Sequence, residues 1–297
     1  MSKEPIYLSV VLSTYNDEKY IAEAIQSILD QTYPYFEFII VNDGSNDKTL
    51  EIIKSFKDPR IILIDKPNTG LIDSLNTGVL SAKYDWIARM DGDDIAAPNR
   101  FEEEINAIED NIVIVTSQCD IIDSWGNKIG ETKFSESKAG IQISMIIGFP
   151  LIVHPVVLFR KDIALKVGLY DPIMNISEDS DLWWKMLQYG SFKLLHKKLL
   201  KLRKHGANIS STKRMEQLNT AFVGYTKYIH KIGYNIDIDD YNQLLYVLNS
   251  HSFIRSIVLY EGFGKFRTLL RLIVKYLFVR YSKEILFVVS NIKSKYE

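Results

Sequence analysis

The first 120 residues alternate short β-forming apolar runs with helix-length amphipathic stretches, and few folds accept that alternation. Residues 6–12, 36–41, 61–64 and 84–88 read as four strands. Their runs are nearly continuous in Val, Ile, Leu and Phe, the mark of strands covered on both faces. Between them, Ile21, Ile25, Ile28 and Leu29 share one helical face, as do Leu50, Ile53 and Phe56, and then Leu71, Leu75 and Val79. Ser45, Asn46 and Asp47 are cap candidates for the second of these helices. Strands joined through helices return by right-handed crossovers, which predicts an α/β fold with a mostly parallel, doubly covered sheet. Ligands on such sheets bind at the carboxyl ends of the strands. The polar clusters of the chain fall there: Ser13 to Asp17, Asn42 to Ser45, and Asp91 to Asp94.

In Arg89-Met90-Asp91-Gly92-Asp93-Asp94, three carboxylates occupy four residues directly after the fourth strand. Carboxylates so crowded repel one another unless a cation holds them, and hard oxygen ligands suit Mg²⁺ or Mn²⁺. A solvated acidic turn is the competing reading, because Asp and Gly are favoured turn residues. A second acidic group, Ser177-Glu178-Asp179-Ser180-Asp181, precedes Trp183-Trp184. It serves either to cap that helix or to supply a general base. Asp43 is placed to accept hydrogen bonds from a base or ribose, or simply to make the Asn42-Asp43-Gly44 turn. The loop Ser13-Thr14-Tyr15-Asn16 has no glycine, which excludes a dinucleotide fingerprint or a phosphate-binding loop of the P-loop kind.

The formal net charge of the 297 residues is −1, so no nucleic-acid partner is expected. From Arg255 to Glu297, however, nine Lys or Arg stand against three Glu. Arg267, Arg271 and Lys275 recur every four residues among Leu269, Leu270, Leu272, Ile273, Val274, Leu277 and Phe278. That pattern fits a basic amphipathic helix on an anionic membrane surface, or a helix packed on the main domain with its basic stripe in water. No secretory signal and no run of 18 uninterrupted apolar residues is visible, so the expected place is the cytoplasm or the inner face of the cell membrane. Cys119, the single cysteine, reads as a small buried hydrophobe. Past residue 112 the pattern is mixed, with a hairpin at Trp125-Gly126-Asn127-Lys128, a strand over 154–159, a helix over 181–188 and strand with loop over 194–202.

Read together, these segments resemble family 2 glycosyltransferases. The resemblance is carried by Ser9 to Asn16, Ser27-Ile28-Leu29-Asp30-Gln31-Thr32-Tyr33, Glu37 to Ser45, Asn68-Thr69-Gly70-Leu71, Asn76-Thr77-Gly78, Arg89 to Asp94 and Glu178-Asp179, in the family's order and spacing. It covers about residues 6–210 and implies a GT-A-type nucleotide-binding sandwich over 1–212, with a helical C-terminal extension over 213–297. It further implies an inverting transfer of sugar from a nucleotide-diphosphate donor, a UDP-sugar by default. The acceptor would be a glycan or polyprenyl-linked glycan of the O-antigen or capsule kind. By position, Thr14, Tyr15, Asn16, Asp43 and Asp91 would hold the nucleotide-sugar, Asp93 with Asp91 the Mn²⁺ or Mg²⁺, and Asp179 would be the catalytic base. Arg203-Lys204-His205 and Ser210 resemble a common Arg-x-His…Ser ending, in which His205 would touch metal or diphosphate and Arg203 would lie near the nucleotide. His154 recurs in relatives on the acceptor side. Gly92 stands where alanine is frequent, a departure expected to leave metal ligation unaffected. Two other functions stay open: a sugar nucleotidyltransferase, which would want a Gly-rich basic loop after strand one, and a non-catalytic nucleotide-sugar or glycan binder.

Overall fold

Four strands of largely apolar sequence form one half of the sheet: β1 (Leu8–Thr14), β2 (Phe36–Asp43), β3 (Ile61–Lys66) and β4 (Trp86–Asp91). The computed structural model describes residues 4–132, 152–174 and 177–206, all within the first of two units into which the chain divides, Met1–Ala221 and Phe222–Glu297. The four strands lie in the order β3-β2-β1-β4 and all run parallel. Three helices make the crossovers: α1 (Ile21–Leu29), α2 (Thr49–Ser55) and α3 (Leu71–Ser81). Alternate strand residues point to opposite faces. Leu8, Val10 and Leu12, with Phe36, Phe38 and Ile40 and with Trp86, Ala88 and Met90, join Ile21, Ala24, Ile25 and Ile28 of α1 in one core. The other face carries Val11 and Val41, against which α3 lies. A Cβ on Gly78 would meet Val11 Cγ1 at 2.4 Å, so the bare glycine sets how closely that helix approaches.

Register does the placing. Ser13 pairs with Val41 and Asp91, and Thr14 pairs with Asn42, so three loops leave the sheet side by side at its carboxyl edge. Arg89 and Asp91, two residues apart on β4, share the face opposite Met90.

Past β4 the sheet becomes mixed. It adds β5 (Ile95–Ala96), β6 (Ile112–Ile122), β7 (Lys128–Glu131), β8 (Leu158–Arg160) and β9 (Ser191–Arg203), in the order β4-β8-β6-β9-β5 with β7 on β6. Strand β8 is antiparallel to both β4 and β6, β5 is antiparallel to β9, and β6 and β9 are parallel. Parallel strands thus make up the first half, and the second half gains its reversals from the β6–β7 hairpin and the short β8. Three further helices complete the described chain: α4 (Arg100–Asn106), α5 (Lys161–Lys166) and α6 (Glu178–Met186).

Several sequence expectations shift. The strand over 154–159 is a 3-10 turn, His154–Val156, followed by the three-residue β8, because Pro155 has no N–H to give a ladder. The helix expected at 181–188 starts three residues earlier, so Glu178, Asp179 and Asp181 all sit in its first turn, where the helix dipole favours negative charge. Residues 194–202 belong to one 13-residue strand. Cys119 is fully buried, as expected. Among the described residues no helix is long and apolar enough to cross a membrane. The basic C-terminal stripe and Ser210 lie outside the described residues.

Candidate active site

The turn that leaves β4 gathers the carboxylates of Asp91, Asp93 and Asp94, with ligand oxygens all within 4.8 Å of one another. Asp94 is only 1% exposed, which a merely solvated acidic turn would not be. Its Oδ1 accepts the backbone N–H of Arg203 at 2.7 Å, while its Oδ2 is buried without a hydrogen-bond partner. Burial, and then the charges of Asp93 and Asp91, push the Asp94 carboxyl well above the ordinary range. Burial likewise raises Asp91, against the Arg89 guanidinium that ion-pairs with it. Desolvated acids that repel one another and keep a buried oxygen unsatisfied fit a hard divalent cation.

The end of β9 closes over this turn. Arg203 pairs with Ile122 in the sheet, and the Lys204 N–H donates to Ile122 O. The Arg203 Nε donates to Asp93 O at 2.8 Å, one terminal nitrogen donates to Glu23 Oε2 at 2.5 Å, and the guanidinium lies 4.6 Å from the Tyr20 ring centroid. The Arg203 guanidinium thus ties the acidic turn to α1. His205 Nε2 lies 2.8 Å from Asp93 Oδ2, with its ring 5.2 Å from that of Tyr20.

Strands β1 and β2 supply the neighbouring loops. Asn16 takes a left-handed φ of 59°, which lets its N–H donate to Ser45 Oγ at 3.0 Å while its Oδ1 accepts the Asn46 N–H at 2.8 Å. Asparagine tolerates that conformation. Tyr15 is exposed beside it, and buried Thr14 donates from Oγ1 to Asp17 Oδ2 at 2.7 Å. Burial, and after it the charges of Asp93 and Asp91, push Asp17 up to about 6 against the pull of that hydrogen bond. Asp43 is buried and accepts from Lys66 Nζ at 2.5 Å and from the N–H groups of Thr69 and Gly70, both at 2.9 Å. Burial raises Asp43, but these donors outweigh it and hold the carboxyl below its ordinary range.

The start of α6 brings a second set of acids within electrostatic reach of the acidic turn. Glu178 is buried and Asp179 half-buried, with the Ser180 N–H donating to Asp179 Oδ1 at 2.6 Å. Burial, then the charge of Asp179, pushes Glu178 up to about 7, and burial raises Asp179. The Arg89 charge acts on Asp91, Asp94, Glu178 and Asp179 together, and that of Asp91 reaches Glu178. The two acidic stations are therefore one electrostatic site arranged about a buried guanidinium. Tyr170 borders it: its hydroxyl lies 3.0 Å from His154 Nε2, and Asn76 brackets its backbone, accepting its N–H at 3.1 Å and donating to its O at 2.8 Å. Trp183 packs edge-on against His154, Phe159 and Tyr170. Burial and the Arg89 charge hold the His154 imidazole neutral.

The candidates singled out in the sequence stand at the carboxyl edge of the sheet or at a helix start: Thr14 ending β1 with Tyr15 and Asn16 after it, Asp43 ending β2, Asp91 ending β4 with Asp93 after it, Arg203 and His205 at the end of β9, and Asp179 in the first turn of α6. Sequence reasoning gave no role to Arg89, Asp17, Tyr170 or Asn76. Arg89 and Asn76 lay inside recognised motifs and Asp17 inside a polar cluster, but only their contacts distinguish them.

Residues 9–200 match the profile of glycosyl transferase family 2. An uncharacterized glycosyltransferase of Rickettsia typhi is 31% identical over 238 residues, covering 75% of this chain and 73% of its own length. The O-antigen biosynthesis glycosyltransferase WbnJ of Escherichia coli is 34% identical over 187 residues, 61% of this chain and 71% of its own. Among solved structures, S. aureus TarS in complex with UDP-GlcNAc aligns with a TM-score of 0.62 at 20% identity, over 92% of this chain and 81% of that one. The mannosyltransferase PcManGT from Pyrobaculum calidifontis, in complex with GDP-Man and Mn²⁺, aligns with a TM-score of 0.55 at 13% identity, over 94% and 89%. At such identities the structural likeness speaks for the fold, and the curled mixed sheet is of the GT-A kind. From its matched profile, its relatives and this arrangement of acids, the chain belongs to glycosyl transferase family 2 and is a glycosyltransferase.

Proposed function

We propose that this glycosyltransferase is divalent-metal-dependent and inverting. It would move a sugar from a nucleoside-diphosphate donor, a UDP-sugar by preference, to a glycan or polyprenyl-linked glycan in polysaccharide biosynthesis at the cytoplasmic side of the cell membrane. The supporting observation is that two acidic stations, Asp91 with Asp93 and Asp94 on one side and Glu178 with Asp179 on the other, meet about Arg89. The relatives agree with it: WbnJ is named for O-antigen biosynthesis, and the aligned structures hold UDP-GlcNAc in one case and GDP-Man with Mn²⁺ in the other.

In this reading Asp93 and Asp91 hold the cation, with Asp94 and His205 beside them. When bound, Mn²⁺ or Mg²⁺ would neutralise charge developing on the leaving diphosphate. Thr14, Tyr15, Asn16 and Asp43 line the nucleoside side. Asp179 Oδ takes the proton of the acceptor hydroxyl as that oxygen attacks the anomeric carbon, and its raised affinity for a proton suits the task. With one carboxylate as base and none as nucleophile, a single displacement inverts the centre. Arg203 acts as a positioning residue that holds the Asp93–Asp94 turn from behind.

Incubation with Mn²⁺ and a panel of UDP-, GDP- and dTDP-sugars, read by mass spectrometry with a polyprenyl-linked acceptor pool, tests the proposal. Transfer should appear with a UDP-sugar, vanish with EDTA and return with added Mn²⁺. Turnover indifferent to chelation would overturn the metal requirement, and release of pyrophosphate from a nucleoside triphosphate would move the chain to the nucleotidyltransferases.

A further inference from the structure

A glycine in the middle of the acidic turn leaves room that another carboxylate fills. A Cβ built on Gly92 would stand 2.6 Å from Asp17 Oδ2 and 3.1 Å from Thr14 Oγ1, so the Asp17 carboxylate occupies the space that alanine would need. Asp17 is not loosely held there. Its N–H donates to Thr49 Oγ1 at 2.8 Å, its carbonyl accepts the N–H groups of Tyr20 and Ile21 at 2.9 Å each, and its Oδ2 accepts from Thr14 at 2.7 Å. The first turns of α1 and α2 thus fix its backbone, and the end of β1 fixes its side chain. The charges that act on it are those of Asp93 and Asp91. An ordinary surface aspartate escapes such repulsion by turning into water, whereas this one is hydrogen-bonded into it.

We propose that Asp17 is a positioning residue of the cation site, a fourth carboxylate that Gly92 admits against the Asp91–Asp94 turn and that raises the site's affinity for a divalent ion. The inference rests on the metal-dependent reading given above. Asp17 lies outside the group whose oxygens fall within 4.8 Å of one another, so it acts on the ion from behind the ligands. It would do so through its charge. Outer groups of this kind orient ligands and tune affinity, and their loss commonly weakens metal binding by about tenfold or more. Gly92 is then not interchangeable with alanine in this chain: the added methyl group would push the Asp17 carboxylate off Thr14 and away from the turn.

The test uses Mn²⁺ as the probe, with free ion counted by electron paramagnetic resonance in the presence and absence of UDP. Asp17→Asn keeps the shape and the bond from Thr14 and removes only the charge. It should weaken Mn²⁺ binding by roughly tenfold with the thermal midpoint unchanged, an outcome a purely structural role would not give. Gly92→Ala should weaken it to a similar degree. The double variant should bind Mn²⁺ no worse than the weaker single variant, because both changes remove one interaction. Asp17→Asn or Gly92→Ala binding within twofold of wild type, or effects that multiply in the double variant, would overturn the proposal while leaving the site intact. A wild-type protein that takes up no Mn²⁺, with or without UDP, would instead overturn the cation reading on which it depends.

Discussion

Asp179 and Glu178 show how one residue of difference along a helix start divides two roles. Both are acids in the first turn of α6, but Glu178 is buried and Asp179 half-buried. Asp179→Asn should lower transfer by about 10²–10⁴-fold, the range typical of a lost general base, with UDP binding by calorimetry within twofold of wild type. Loss of nucleotide binding in a folded variant would argue against the assignment. The pair also predicts a pH profile. A raised carboxyl pKa keeps the proton bound up to a higher pH, so kcat/KM should rise with pH as the pair ionises, with its acid limb governed by a group near pH 7. Glu178→Gln removes the like charge beside Asp179 and should move that limb to lower pH. A limb that stays in place would mean that the two carboxylates do not interact.

At the scale of elements, a buried arginine holds together pieces that the chain places far apart. Arg100 is fully buried in α4: its Nε donates to Glu104 Oε1 at 2.9 Å, and its terminal nitrogens donate to Pro155 O at 3.0 Å and Arg89 O at 2.8 Å. One side chain thus ties α4, the His154–Val156 turn and β4 behind the active site. Glu104→Ala would leave that guanidinium without its carboxyl partner and should cost about 3–5 kcal/mol, measured by urea unfolding near pH 5. The pH sense follows from the carboxyl itself. Burial raises Glu104 from 4.5 to about 7 in the fold, so its contribution is full below 4.5 and is lost as pH rises through about 7. Glu104→Gln should flatten that part of the stability profile. None of this was visible in sequence, where nothing in Arg100-Phe101-Glu102-Glu103-Glu104 marks Arg100 and Glu104 as buried.

For the whole molecule, the proposed nucleotide and metal chemistry falls to the GT-A body, and the basic apolar stripe from Arg255 onward has no part in it. A lipid-linked acceptor would draw the enzyme to the membrane surface, and cationic amphipathic segments bind anionic bilayers. Deleting residues after Ser252 should therefore abolish co-sedimentation with phosphatidylglycerol vesicles and leave donor hydrolysis in solution within about twofold, if binding is the tail's task and the two units act independently. Unchanged sedimentation would make the stripe a packing surface.

What the chain order alone determined was the succession of strands and helices to Asp91 and the place of Asp43 and of Asp91 to Asp94 at strand ends. Those features follow from local periodicity and from crossovers that keep β1 to β4 parallel, which brings their carboxyl ends to one edge. The resemblance to family 2 glycosyltransferases rested on the same short segments. Only the tertiary structure decided which polar groups face one another. Arg203 closes over Asp93 because the β6–β9 pairing sets it beside Ile122, and Asp17 meets Gly92 because β1 and β4 are neighbours. Arg89 serves both acidic stations because α6 lies on its face of the sheet. Contacts between residues 75 to 110 positions apart depend on register and on burial, and neither leaves a trace in the spacing of letters.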